Sequence, residues 1–339
     1  MKRMLVTGGA GFIGSNFVRH MIHKYPDLYV VVFDKMTYAG NLDNLEDVSE
    51  KEQYKFVQGD IADRQAVSRA LEANRIDTVV NFAAETHVDR SILNADAFIK
   101  TNNVGVFVLL EESRTHGVER FLQVSTDEVY GTRPTGKFRE GDPLEPNSPY
   151  AASKAGGDLI SRAYYVTHGL NTIVTRGSNT FGPYQYPEKL LSLFITNAMD
   201  DLLLPLYGDG MQVRDWLFVA DHCAGIETAL IHGEPGEAYN VGGNNERHNI
   251  DVIRAVLSIM GKPESLIKSV DDRPGHDRRY ALDNAKISRL GFKPSAKFEQ
   301  NLETTVKWYI DNEWWWRKIK SGDFKAYYDA QYGRRLKTS

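Results

Sequence analysis

Through the first half of the chain, short and almost unbroken apolar runs alternate with segments whose apolar residues recur every three or four positions. The unbroken runs have the character of parallel strands buried on both faces, and the recurring pattern is that of helices with one apolar face. The pattern predicts strands at 2–7, 29–33, 54–57, 78–82, 121–124 and 172–175. It predicts helices from Gly14 to about Tyr25, from about Ile61 to Asn74, over 98–116 and over 147–168. Such alternation gives an α/β fold, a Rossmann-type doubly wound parallel sheet that binds ligands outside the carboxyl ends of its strands.

After residue 178 the pattern changes. Segment 179–187 reads as loop-rich and aromatic, Gly, Pro and charged residues recur through 204–210, and together they predict a smaller second region. Segments 215–230 and 238–241 read as returns to the first region. The expected division is 1–178 with 212–242 for a cofactor-binding domain, and 179–211 with 243–330 for a smaller substrate-binding domain. The Trp-rich stretch 308–316 is expected to pack onto the fold, and 334–337 to fray.

Composition narrows the partners. The chain has 339 residues, 42% of them apolar, enough for two domains around large cores. A net charge of -4 leaves no basic footprint for nucleic acid. The lone Cys223 excludes an intrachain disulfide and points to a reducing, cytoplasmic setting. No apolar run reaches the roughly 18 residues of a membrane span, and 4–6 lead straight into a glycine-rich turn, so no cleaved leader is expected. Nine histidines show no metal-ligand spacing, so no metal is expected, and His87 and His222 read as local hydrogen-bonding residues.

Candidate chemistry gathers at the strand ends. Gly8, Gly11 and Gly14 form a GxxGxxG turn between strand and helix, suited to a pyrophosphate that needs a tight turn, close backbone approach and a helix N-terminus. Asp34 ends the next strand, twenty residues past Gly14, where a carboxylate accepts from a ribose diol and repels a 2′-phosphate; this favours NAD over NADP. Ala83, Ala84 and Glu85 follow strand 78–82, and the small residues there let a dinucleotide lie against the backbone. Tyr150 and Lys154 share one helix face, and an ammonium beside a phenol is expected to lower its pKa towards neutrality so that it acts as a base. Thr126 adds a hydroxyl that can share a substrate alcohol with Tyr150. Alcohol oxidation needs no further carboxylates, yet Asp127 and Glu128 follow directly. Oxidation to a ketone acidifies the adjacent C–H, so one carboxylate can remove that proton while a protonated neighbour assists a leaving hydroxyl. The pair therefore predicts elimination of water.

On these residues, with 272–280 (DRPGHDRRY) and 308–316 (WYIDNEWWW), the chain resembles the extended short-chain dehydrogenase/reductases and, within them, the dTDP-glucose 4,6-dehydratases. The resemblance covers essentially the whole length; Phe181 departs from it, standing where many relatives carry tyrosine. It implies NAD as cofactor, with Phe12, Ile13, Lys35, Thr37, Asp60, Ile61, Thr101 and Asn179 joining the residues above in its site. It implies that Tyr150 takes the sugar 4-hydroxyl proton, Glu128 the C5 proton, and that Asp127 protonates the departing 6-hydroxyl. For dTDP-glucose it implies Thr86, Thr126, Asn179, Lys189, Leu190, Pro205 and Tyr207, and further on Arg214, Asn249, Arg273 and His276, the two arginines on the diphosphate. It also implies a homodimer built on helices 98–116 and 147–168. The rival readings are a UDP-sugar 4-epimerase or decarboxylase, against which Asp127 and Glu128 speak, and a non-catalytic nucleotide-binding regulator, against which Thr126, Tyr150 and Lys154 speak.

Overall fold

The computed structural model describes residues 1–272, 276–295, 297–321, 323–333 and 336. Seven parallel strands form the main sheet: β1 (Arg3–Thr7), β2 (Tyr29–Asp34), β3 (Tyr54–Gln58), β4 (Thr78–Asn81), β5 (Arg120–Thr126), β6 (Thr172–Gly177) and an edge strand, Ala238–Val241. From that edge inward the order is Ala238–Val241, β6, β5, β4, β1, β2, β3. The chain winds outward from β1 to β3, then restarts beside β1 at β4, so the order reverses there and opens a crevice at the strand ends.

Side-chain alternation covers both faces of this sheet. Met4, Val6, Val30, Val32 and Val80 pack on one side with helices Phe12–Lys24 and Val219–His232. Leu5, Val31, Phe33 and Val79 pack on the other with helices Arg64–Asn74, Val106–Thr115 and Pro149–His168. The strands thus read as continuous apolar runs because neither face meets water.

Two small sheets complete the fold. Strand β7 (Asn179–Phe181) pairs parallel with β9 (Val213–Phe218), which pairs antiparallel with β11 (Glu246–His248). Strand β8 (Leu204–Tyr207) pairs parallel with β12 (Ile267–Val270), and the edge strand Ala238–Val241 is β10. Segment 179–181, expected as loop, is therefore a strand. Of the stretch 215–230, the strand part joins a small sheet, and it is helix Val219–His232 that packs on the large one. Apolar content predicts that a segment is buried, but not which edge it will meet.

The helix expected over 98–116 contains a π-turn at Lys100–Gly105 between Asp96–Ile99 and Val106–Thr115. At the C-terminal end, Trp315 and Trp316 are buried, while Trp314 is 53% exposed. Trp315 Nε1 donates to Asn44 Oδ1 at 2.8 Å, and Asn44 Nδ2 donates to Ala10 O at 2.9 Å, so the Trp-rich helix braces the glycine turn. Of the stretch 334–337, Arg334, Arg335 and Lys337 lie outside the described residues. Among the described residues, no helix is long and apolar enough to cross a membrane.

Candidate active site

The glycine-turn side of the crevice is built from backbone. Gly8 has φ +65°, and a Cβ there would lie 2.6 Å from Ala83 N. A Cβ on Gly14 would lie 2.3 Å from Gly8 O. Only hydrogen fits at either position, so the turn stays tight and its surface open to a ligand. Gly11 occupies the N-cap of helix Phe12–Lys24 without a side-chain cap, and the helix's first N–H groups suit an anion. Asp34 is held by Ala10 N at 3.0 Å and Met36 N at 2.8 Å; burial raises its pKa against those two bonds. Lys35 Nζ lies 2.8 Å from Asp60 Oδ2. Against burial, which raises it, Lys35 and the Ala62 amide hold the Asp60 pKa below the usual range.

Across from the glycines, Glu85 N donates to Asn102 Oδ1 at 2.9 Å, and Asn102 Nδ2 donates to Glu85 O at 3.0 Å and Ser153 Oγ at 2.8 Å. The π-turn carrying Asn102 thus ties the 83–85 segment to the helix of Tyr150 and Lys154. These two helices approach closely, since a Cβ on Gly156 would lie 2.1 Å from Asn103 Nδ2.

At the end of β5, Thr126 caps a 3₁₀ turn over Asp127–Tyr130, its Oγ1 accepting from Glu128 N at 3.3 Å and lying 3.2 Å from Asp127 Oδ1. Asp127 is 2% exposed, and its Oδ2, within the same cleft, has no hydrogen-bond partner. Burial first, then the charges of Glu128 and Asp215, push its pKa well above the carboxyl range despite Arg214. Asp127 and Glu128 thus stand side by side in one turn, each charge opposing ionisation of the other.

Ser148 caps helix Pro149–His168 by accepting from Ala151 N at 3.1 Å, with proline in the first turn. One turn in, Tyr150 hydrogen-bonds with Thr126, and another turn on, Lys154 Nζ donates to Val124 O at 2.7 Å. The expected acidic phenol is not what the structure gives: burial, then the Glu128 charge, push the Tyr150 pKa up. Burial also lowers Lys154 to about 8, offset in part by Asp158. The ammonium is spent on a carbonyl, and desolvation outweighs what it offers the phenol. Beneath both segments, Arg176 Nε pairs with Asp158 at 2.9 Å and its NH1 donates to Tyr130 OH at 2.7 Å, pinning the 3₁₀ turn to the helix.

On the opposite wall, Lys189 Nζ donates to Thr86 O at 2.8 Å and joins the two sides of the cleft. Leu190 opens helix Leu190–Met199, Pro205 and Tyr207 lie on β8, Arg214 on β9, and Asn249 opens helix Asn249–Met260. His276 Nδ1 lies 2.5 Å from Asp272 Oδ1. Every site residue predicted from the sequence lines this one cleft, except Arg273, which lies outside the described residues. The cleft also holds residues that the sequence reading missed. Asp89 accepts from Tyr207 OH at 3.2 Å, and buried Glu188 accepts from Tyr38 OH at 3.0 Å. His87 and His222, read as local hydrogen-bonding residues, line it too; His222 Nδ1 meets Thr180 Oγ1 at 2.8 Å, and burial lowers its pKa to about 4. Adjacency to Lys189 is the one local signal that could have found Glu188. No group of three metal-ligating side chains occurs among the described residues.

Comparison with known proteins agrees with this geometry. The profile of the family described as GDP-mannose 4,6 dehydratase matches residues 5–305. A dTDP-glucose 4,6-dehydratase of Streptomyces niveus is 48% identical, covering 95% of this chain and 96% of its own. The solved structure of DesIV, a dTDP-glucose 4,6-dehydratase from Streptomyces venezuelae with NAD bound, has a TM-score of 0.91 at 50% identity, covering 94% of this chain and all of that one. A UDP-glucose 4-epimerase from Thermus thermophilus, also with NAD, has a TM-score of 0.85 at 32% identity, covering 91% and 99%.

Proposed function

We propose a reaction for this cleft on one premise: the chain belongs to the GDP-mannose 4,6-dehydratase family and, within it, to the dTDP-glucose 4,6-dehydratases. It is an NAD-dependent lyase that converts dTDP-glucose to dTDP-4-keto-6-deoxyglucose. The glycine turn that admits no Cβ, the uncapped helix start and Asp34 at its strand end fit NAD. Bound there, NAD would supply the hydride acceptor for C4 of the sugar and the hydride donor for C6.

The chain's own residues handle the protons. Tyr150, hydrogen-bonded with Thr126, would accept the 4-hydroxyl proton where the positive nicotinamide of bound NAD offsets the burial that raises its pKa, and Lys154 would orient the cofactor ribose. Glu128 removes the C5 proton made acidic by the 4-ketone. Asp127 protonates the 6-hydroxyl, which leaves as water, and a proton returns to C5. The observation that carries this assignment is the buried Asp127 beside Glu128 in the cleft of Tyr150, its Oδ2 without a hydrogen-bond partner and its pKa raised by burial and the Glu128 charge. Arg214, Asn249, Lys189 and Tyr207 hold the nucleotide.

The test is the mass of the product from dTDP-glucose, with UDP-glucose run in parallel. Loss of one water is expected from the thymidine nucleotide; an isomer of unchanged mass would move the site to the 4-epimerases. In Glu128→Gln, oxidation at C4 should persist in a single turnover while loss of water slows by roughly 100-fold or more, as for a general base. Undiminished dehydration would remove Glu128 from that role.

Two further assignments belong to this reading. Segments 1–178 with 212–242 serve NAD, and 179–211 with 243–330 serve the sugar nucleotide, with β9 paired to β7 and β11 between them. Ile99, Val104 and Phe107 along the helical stretch 96–115, and Leu159 and Val166 on helix Pro149–His168, are exposed apolar side chains suited to burial in a homodimer. Sedimentation at dimer mass would support it, and a monomer would exclude it.

A further inference from the structure

Behind Arg214 lies a cluster that does not line the cleft. The guanidinium carbon of Arg214 sits 4.5 Å from the ring centroid of Tyr280, which is 3% exposed. Arg214 NH2 donates to Asp277 O and NH1 to Val213 O, both at 2.9 Å, so two carbonyls and a ring define the guanidinium plane. The Tyr280 hydroxyl donates to Asp277 Oδ2 at 2.5 Å, and the other Asp277 oxygen accepts from Asn147 Nδ2 at 2.6 Å. Asn147 precedes Tyr150 by three residues, immediately before the cap of the Tyr150 helix.

The same segment crosses the loop that leaves the Asp127–Glu128 turn. Arg278 N donates to Thr132 Oγ1 at 2.9 Å, and Phe138 N donates to Ala281 O at 2.8 Å. Gly131, with φ +77°, lets Glu145 O approach within 2.3 Å of where a Cβ would stand, so the loops before and after it are in contact.

We propose that Tyr280, locked by Asp277 and Asn147, is a positioning residue for Arg214, aligning the grip on the diphosphate with the Asp127–Glu128 turn and the Tyr150 helix. The inference rests on Arg214 as a diphosphate ligand. A flat ring under a desolvated guanidinium adds cation–π attraction and removes the rotamer freedom that a long side chain otherwise loses on binding. The strap then carries binding energy from the diphosphate to the reacting sugar, where alignment counts.

The experiment measures dTDP and thymidine affinity by calorimetry on the NAD-loaded protein, for Arg214→Ala, Tyr280→Leu, Tyr280→Phe and the Arg214→Ala/Tyr280→Leu double variant. Arg214→Ala should weaken dTDP by roughly 30-fold and leave thymidine unchanged, as loss of a charge-assisted contact does. Tyr280→Leu should weaken dTDP by about 10-fold, again without effect on thymidine, and the double variant should be no weaker than Arg214→Ala alone. Tyr280→Phe keeps the ring and loses the lock, so a shift of roughly 3-fold confined to dTDP is expected; it carries the test if the leucine variant does not fold. Additive losses, or equal weakening of thymidine, would make Tyr280 an ordinary packing residue and overturn the proposal. If Arg214→Ala binds dTDP normally, the diphosphate assignment fails first and takes this inference with it.

Discussion

The two walls of the cleft are built on different principles. The wall proposed for the cofactor is mostly backbone: glycines that tolerate no Cβ, a helix start without a side-chain cap, and an aspartate tied down by two amides. The wall proposed for the substrate is side chains brought from β8, β9, helix Asn249–Met260 and the loop before Leu190, held through contacts such as Lys189 to Thr86 and Arg214 to Asp277. A backbone site fails abruptly when something larger is added, because its neighbours cannot move aside. A side-chain site loses one contact at a time.

That difference orders the expected effects. Gly14→Val is the harshest change, since its Cβ alone would lie 2.3 Å from Gly8 O. Cofactor retention should fall by more than about 100-fold, in line with overpacking against a carbonyl that cannot shift. Release and quantitation of bound NAD from the purified variant measures this, and normal cofactor content would break the backbone account. Lys189→Met removes the bond to Thr86 O but keeps the aliphatic stem. Here the KM for dTDP-glucose should rise by roughly 10-fold with cofactor content intact, as for a lost hydrogen bond to a charged group. A fall in bound NAD instead would show that the walls are not separable.

Glu227→Gln sharpens the contrast from outside the cleft. Glu227 joins helices Phe12–Lys24 and Val219–His232, accepting from Lys24 Nζ at 2.8 Å and lying 2.7 Å from His20 Nε2. Against burial, which raises it, His20, Lys24 and Tyr25 lower its pKa to about 2 from the usual 4.5. A lowered folded pKa contributes stability that is present above about 4.5 and lost as pH falls from there towards 2. The melting temperatures of the parent and Glu227→Gln should therefore differ by a constant amount above about pH 5 and converge between pH 4.5 and 2, with turnover at neutral pH unchanged. Parallel curves down to pH 2 would remove Glu227 from the acid response.

Much of this protein could be read from its residues in order. Runs such as Tyr29–Asp34 announce buried parallel strands, and the glycine turn, Asp34 and the Tyr150–Lys154 spacing are local patterns whose meaning depends on neighbours a few positions away. The π-turn at Lys100–Gly105 left no such mark, because it answers to Glu85 and Ser153, residues on other elements. Strand Asn179–Phe181 was hidden for the same reason, its partner lying more than thirty positions on.

The sequence by itself determined the α/β class, the glycine turn and which hydroxyl, carboxylate, phenol and amine reach the cleft, since each follows from spacing along one strand or helix. Only the tertiary structure decided the direction in which their pKa values move and the shape of the wall opposite the glycine turn. Burial raises Asp127 and Tyr150 and lowers Lys154, and desolvation depends on the entire surrounding fold. The guanidinium of Arg214 is likewise set by Tyr280 and Asp277, more than sixty residues away, which only chain folding brings together.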